Sequence, residues 1–171
     1  MPLVGHLEHK EQAPQHSIGC YVITISDTRT SATDTGGTAV VELLGNAGHI
    51  VVGRTIVRDD AEMVRGAIER QLAAPGVQVI ITTGGTGITS RDTTYEVVSA
   101  MLDKHLDGFG ELFRMLSYEE IGAAAMLSRA CAGLVCGRIV AALPGSEAAV
   151  RLAMSRLLIP ELGHLVREAS R

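Results

Sequence analysis

Apolar residues along this chain occur in two kinds of run that take turns. Ile18 to Ile25, Ile50 to Val57 and Val77 to Ile81 are short, β-branched blocks of strand character. Between them the apolar positions recur at helical spacing, as in a helix that buries one stripe. Asp34 stands where it can cap the first helix, which carries Val40, Val41, Leu43 and Leu44 as far as Ala47 and stops at Gly48. A second helix, from Asp60 to Leu72, presents Met63, Val64, Ala67, Ile68 and Leu72 on one side. Thr93 and Glu96 have the spacing of a capping box for a third, which turns Val97, Val98, Met101 and Leu102 inward.

The helical pattern returns from Gly110 to Arg129 with Leu112, Phe113, Leu116 and Ile121, and its spacing from Leu116 places Phe113 in the core. Ala132 to Cys136 and Arg138 to Leu143 are β-prone runs that meet at Gly137, which predicts a hairpin. Pro144-Gly145-Ser146 ends the second run and leaves Ser146 as N-cap of the last helix. Pro160 is expected to kink or restart that helix ahead of Leu162, Leu165 and Val166. Strands alternating with helices predict an α/β sandwich with a mostly parallel sheet and one antiparallel hairpin strand.

Parallel strands deliver the loops that follow them to one edge of the sheet, and ligands bind along that edge. Ser26 to Gly37, Arg58 to Asp60, Gly84 to Thr93 and Pro144 to Glu147 are the segments so placed. The richest is Thr82-Thr83-Gly84-Gly85-Thr86-Gly87, which runs on to Ser90-Arg91-Asp92-Thr93. Its glycines let backbone N–H groups approach phosphate oxygens, and a helix opening just beyond adds its positive end. No Gly-Lys-Ser/Thr follows, so this is not a P-loop, and Ser90 stands where a dinucleotide fingerprint needs its third glycine. Asp92 would repel a phosphate by itself; it becomes intelligible if it carries a divalent cation to a nucleotide.

Composition narrows the class. With 171 residues, 46% of them apolar and 20% charged, the chain suits one domain with a self-sufficient core. Its net charge of −4 and lack of a long Lys/Arg block argue against nucleic acid as partner. A small anionic ligand would draw its cations from Arg29, Arg54, Arg58, Arg91 and Arg114. Met1 to Ser17 is expected to be a loose tail ahead of a single domain from 18 to 171; it lacks the order of a signal peptide, and its His6, His9 and His16 have no partners at ligand spacing. No apolar stretch approaches the ~18 residues of a membrane span. Cys20, Cys131 and Cys136 are expected to be buried, reduced thiols of a cytoplasmic protein.

Six ordered motifs carry a resemblance. They are Ile-Ser-Asp-Thr-Arg at Ile25 to Arg29, Asp59-Asp60 behind Ile56-Val57-Arg58, the glycine segment with Arg91-Asp92, Gly-Phe-Gly-Glu-Leu-Phe-Arg at Gly108 to Arg114, Ala-Met-Leu-Ser-Arg-Ala at Ala125 to Ala130, and Leu-Pro-Gly-Ser at Leu143 to Ser146. Together, over roughly residues 18 to 166, they resemble the MoaB/Mog family of molybdenum cofactor biosynthesis. The resemblance implies a three-layer, molybdopterin-binding-domain-like sandwich and an adenylyltransferase that joins Mg-ATP and molybdopterin with release of pyrophosphate. It further implies catalytic roles for Asp59 and Asp92, nucleotide or pterin contacts from Ser26, Asp27, Gly84, Gly85, Thr86, Gly87, Arg91, Pro144, Gly145 and Ser146, and a trimer or hexamer. Ala123 to Met126 and Ala130 to Cys136 are the small apolar surfaces expected between subunits.

The terminal phosphate of molybdopterin is already anionic, so attack on the α-phosphorus of ATP needs alignment and charge neutralisation more than a base. Asp59 and Asp92 are accordingly cast as Mg²⁺ ligands, direct or through water. Of the helix carrying Glu111 and Arg114, Glu111 is expected to face the site, while the pair at i,i+3 can also simply bridge. Tyr95 and Asp107 stand where the family usually has proline; the first change removes a rigid helix start, for which the capping box can compensate. A non-catalytic pterin- or nucleotide-binding protein of the same pathway is the alternative, and binding alone does not require the Asp59 and Asp92 pair; a nucleotide-salvage pyrophosphatase is a third and weaker option.

Overall fold

The computed structural model describes residues 17–171. The tail before Ser17 and its three histidines lie outside the described residues. In chain order the elements are β1 (Gly19–Ile25), α1 (Thr35–Asn46), β2 (Ile50–Val57), α2 (Ala61–Ala73), β3 (Val79–Thr83), α3 (Thr94–Met101), β4 (Lys104–His105), α4 (Asp107–Ile121), β5 (Cys131–Val135), β6 (Arg138–Leu143), α5 (Glu147–Ala153) and α6 (Ile159–Ala169). The strands form one sheet in the order β2-β1-β3-β6-β5-β4. β1 pairs in parallel with β2 and β3, β3 does so with β6, and β5 runs against both β6 and β4.

Alternation along the strands divides the core. Cys20, Val22, Val79, Ile81, Ile139, Ala141 and Leu143 face α1, α4 and the α5–α6 rod. Ile23, Ile25, Ile80, Val140 and Ala142 face α2 and α3, whose Val64, Ala67, Ile68, Val97 and Val98 cover them. Every residue of β3 is buried, as befits a central strand with helices on both faces. The result is a three-layer sandwich.

Several expectations are corrected by the packing. The helix expected from Gly110 to Arg129 begins at Asp107 and ends at Ile121, where Gly122 takes φ 60 and a 3-10 segment, Gly122–Leu127, follows. The helix does restart at Pro160, as expected, but through a π segment: Met154–Leu158 widens, the Ile159 N–H reaches back to the Met154 carbonyl, and α6 opens with Pro160 in its first turn, where a missing donor costs nothing. Ala130 to Val135 is buried sheet interior and not an exterior patch, because β5 is covered by α3 and α4. A run of exposed apolar residues lies on the outside of α4 and in the segment after it, which includes the expected Ala123 to Met126: Leu112, Met115, Tyr118, Ile121, Met126 and Leu127. Cys136 is exposed at the hairpin turn, with φ 49, while Cys20 and Cys131 are buried; burial pushes their thiols up to about 12 and about 11.

Candidate functional site

The four parallel strands end in step. Ile25 is paired with Val57, Thr24 with Thr83, and Thr83 with Leu143. The ladder even continues one residue past the strand ends, since Ser26 N–H donates to Val57 O at 2.9 Å and Gly84 N–H to Leu143 O at 3.0 Å. All four following loops therefore start from one edge, at the point where the chain leaves β1 and β3 for opposite sides of the sheet. Between them lies a cleft of about 690 Å³, ample for a nucleotide-sized ligand. It is bordered by Ser26 and Asp27, Asp59, Gly84 to Gly87, Asp92, and Pro144 to Ser146. Every expected site residue except Arg91 and Glu111 is among them.

The glycine loop is braced from several sides. Asp59 Oδ1 accepts the Thr93 N–H at 3.2 Å and the Thr93 hydroxyl at 3.0 Å. Asp92 Oδ2 accepts the Thr89 N–H at 2.9 Å and its hydroxyl at 2.5 Å. Each carboxylate thus spends one oxygen on the loop, and among the described residues Asp59 Oδ2 and Asp92 Oδ1 receive no hydrogen bond. The amides of Gly85, Thr86, Gly87 and Ile88 likewise have no acceptor among the described residues. Gly85 sits at φ 66, and a Cβ there would come 2.2 Å from Thr94 Oγ1 and 2.8 Å from Asp59 Oδ2; only glycine lets the loop pass this close to the carboxylate.

The capping box does not form. Thr93 gives its hydroxyl to Asp59, and Glu96 pairs with Arg129, because a carboxylate and a guanidinium outcompete the local backbone partners. That hydrogen bond from Arg129 holds the Glu96 carboxyl below its ordinary value. Asp34 caps α1 through the Gly37 N–H at 2.9 Å, accepts the Thr24 hydroxyl at 2.6 Å and pairs with Arg54 at 2.7 Å, so this buried acid is fully engaged. Asp27 accepts the Asp59 N–H at 3.3 Å.

Arg91 lies outside the main cleft. It pairs with Asp27 and borders a neighbouring hollow with Arg58, Asp60 and Ser90. Glu111 is also elsewhere, in a small hollow of about 190 Å³ with Tyr95, His105 and Arg114. The reason is helical geometry: the part of α4 that borders the cleft carries Ser117, Glu120 and Ile121, which begins roughly 9 Å further along the axis. Those residues, with Leu127 and Ser128, complete the wall and were not singled out from sequence. Arg29, the arginine that does border the cleft, donates to Thr33 O at 2.5 Å.

Comparison with known proteins decides the family. Residues 21–164 match the model of a probable molybdopterin binding domain. The chain belongs to the MoaB/Mog family. It is 53% identical over 165 residues to Molybdenum cofactor biosynthesis protein B of Bacillus cereus, covering 96% of this chain and 97% of that one. To the Bacillus subtilis protein of the same name it is 45% identical over 162 residues, covering 94% and 95%. Among solved structures of the family, a Molybdenum cofactor biosynthesis protein B superposes with TM-score 0.89 at 51% identity, over 91% of this chain and 98% of that one. The tungsten cofactor synthesizing protein MoaB of Pyrococcus furiosus superposes with TM-score 0.82 at 38% identity, over 93% and 100%.

Proposed function

We propose that this chain is a molybdopterin adenylyltransferase, which moves the adenylyl group of Mg-ATP onto the terminal phosphate of molybdopterin and releases pyrophosphate. Family membership assigns it to molybdenum cofactor biosynthesis. The finer reading rests on one observation: amides without acceptors, at Gly85, Thr86 and Gly87, share a cleft with two half-buried carboxylates that each keep an oxygen free. Amides of this kind suit phosphate oxygens, whereas carboxylates repel them.

Charge resolves the contradiction. Of the acids bordering the cleft, Asp34 is matched by Arg54 and Asp27 by Arg91, which leaves Asp59, Asp92 and Glu120 against Arg29. A triphosphate is stable beside that excess only with divalent cations. Among the described residues no group of three or more His, Cys, Asp or Glu side chains could hold a metal alone. Two carboxylate oxygens, completed by phosphate oxygens and water, are what Mg²⁺ accepts, so the residues fit the ion. Asp59 and Asp92 would hold it, and when bound it supplies charge neutralisation at the phosphates.

In the reaction an oxygen of the pterin phosphate bonds to the α-phosphorus while the bond to pyrophosphate breaks. The glycine loop holds the phosphate chain, and Ser26, Ser146 and the Pro144–Gly145 turn limit where the second substrate can lie. No residue need take a proton, because the attacking oxygen is already ionised. Mixing the protein with Mg-ATP should release pyrophosphate only when molybdopterin is present; release without it, or none with it, contradicts the assignment.

Both carboxylates also brace the loop, and that favours a second reading, a non-catalytic pterin- or nucleotide-binding protein of the same pathway. It predicts binding of both ligands without pyrophosphate. For the assembly we propose a trimer or hexamer, with the apolar outside of α4 between subunits; light scattering should give about three or six times 18.0 kDa. No helix among the described residues is long and apolar enough to cross a membrane; the cytoplasmic site of action that we propose rests on the biosynthetic role of the family.

A further inference from the structure

Arg129 lies outside the cleft, yet its guanidinium donates twice to backbone carbonyls of the glycine loop. Its Nε donates to Thr86 O at 2.9 Å and its Nη2 to Gly87 O at 2.5 Å. Nη1 and Nη2 grip the Glu96 carboxylate at 2.5 and 3.3 Å, and the guanidinium lies 4.7 Å from the centre of the Tyr95 ring. Both anchors belong to the first turn of α3. The three nitrogens of one planar group are thus each committed, a geometry that the single ammonium of lysine cannot reproduce.

The consequence follows from peptide geometry. Among the described residues no peptide bond is cis, so each N–H in the loop points opposite to the C=O of the same unit. Pulling the Thr86 carbonyl toward Arg129 turns the Gly87 N–H away from it, and pulling the Gly87 carbonyl does the same for the Ile88 N–H. These amides are among those left without an acceptor in the described residues, and Gly87 borders the cleft.

We propose that Arg129 is a positioning residue that orients the Gly87 and Ile88 amides toward the phosphate chain of a bound polyphosphate. The proposal rests on reading the cleft as the ATP site. Tyr95 takes part by stacking its ring on the guanidinium, which gives the aromatic residue at this position a purpose that proline would not serve.

The test uses the whole protein with two probes in the presence of Mg²⁺, ATP and inorganic tripolyphosphate. Calorimetry should show both binding the wild type, and Arg129→Lys weakening both on the order of 10-fold or more with a melting midpoint near that of the wild type. In ¹⁵N-labelled wild type, both probes should move the Gly87 and Ile88 amide protons downfield, a shift a purely structural role would not produce and that Arg129→Lys should abolish. If that variant does not fold, Glu96→Gln, which loosens Arg129 from the helix side, should diminish the same shifts. The proposal is overturned if neither probe binds the wild type, if tripolyphosphate fails where ATP binds, if the two amides stay unmoved on binding, or if Arg129→Lys binds both normally. Its fate is separate from that of the adenylylation reading: weakened binding by Arg129→Lys in a protein that never releases pyrophosphate with molybdopterin would keep this inference and sink the other.

Discussion

Replacing Asp59 in two ways separates its service to the loop from its charge. Oδ1 accepts two bonds from Thr93 while Oδ2 accepts none, so Asp59→Asn can keep its carbonyl toward Thr93 and put its amide where Oδ2 was. Each bond then changes from charge-assisted to neutral, a loss of about 1 kcal/mol. Two such bonds come to about 2 kcal/mol, or roughly 4–8 °C in melting temperature for a chain of this size. If the carboxylate holds the Mg²⁺ that neutralises the phosphates, its charge is worth more in the rate: on the order of 100-fold, which is about 2.7 kcal/mol. Asp59→Ala removes both bonds as well and should melt lower still, with no more activity than Asn. The assay is pyrophosphate release with molybdopterin, read beside thermal melting of each variant. An active Asp59→Asn next to an inactive, loosened Asp59→Ala would refute the reasoning and reduce Asp59 to a latch for Thr93.

Gly85→Ala forces a Cβ against Thr94 Oγ1 and the Asp59 carboxylate at φ 66; calorimetry should show ATP affinity falling on the order of 10-fold or more, beside roughly 1–3 kcal/mol of strain read by melting. Asp34→Ala leaves Arg54 and the Thr24 hydroxyl without their shared partner and should cost about 3–5 kcal/mol in chemical denaturation. Burial holds the His49 imidazole below its ordinary 6.5, and its Nδ1 accepts the Ile18 N–H at 3.4 Å. The unfolded chain therefore takes a proton here before the folded one does, so this contribution to stability is intact above 6.5 and lost as pH falls below it. Melting from pH 7.5 to about 5.5 should drop more steeply in the wild type than in His49→Gln.

The strands and the loops that follow them were legible because each carries its own punctuation. The β-branched blocks are short, and turn-forming residues follow each within two positions: Asp27 after Ile25, Asp59 after Val57, Gly84-Gly85 after Thr83 and Pro144-Gly145 after Leu143. In-register parallel pairing then brings these ends to one edge, and with them Ser26, Asp59, Gly85, Asp92 and Ser146 to one cleft. What failed was local chemistry overruled by distant partners. The capping box at Thr93 and Glu96 is a sound local pattern, but Asp59 and Arg129 offer charged partners from 34 and 33 residues away. Glu111 was misplaced because α4 starts earlier than its glycines suggest and meets the cleft only near its far end. Arg129 was legible only as a letter of the Ala125 to Ala130 motif, with no role attached: its value comes from carbonyls more than 40 residues distant, whose orientation no spacing encodes.

The central claim is transfer of an adenylyl group, and it is tested most directly by following the α-phosphorus. With ATP labelled at that atom, Mg²⁺ and molybdopterin, the label should appear in a pterin product heavier by one adenylyl group, in equal amount to the pyrophosphate formed. Label that stays in ATP while both ligands bind, or that leaves as free AMP with no pterin product, would contradict the account.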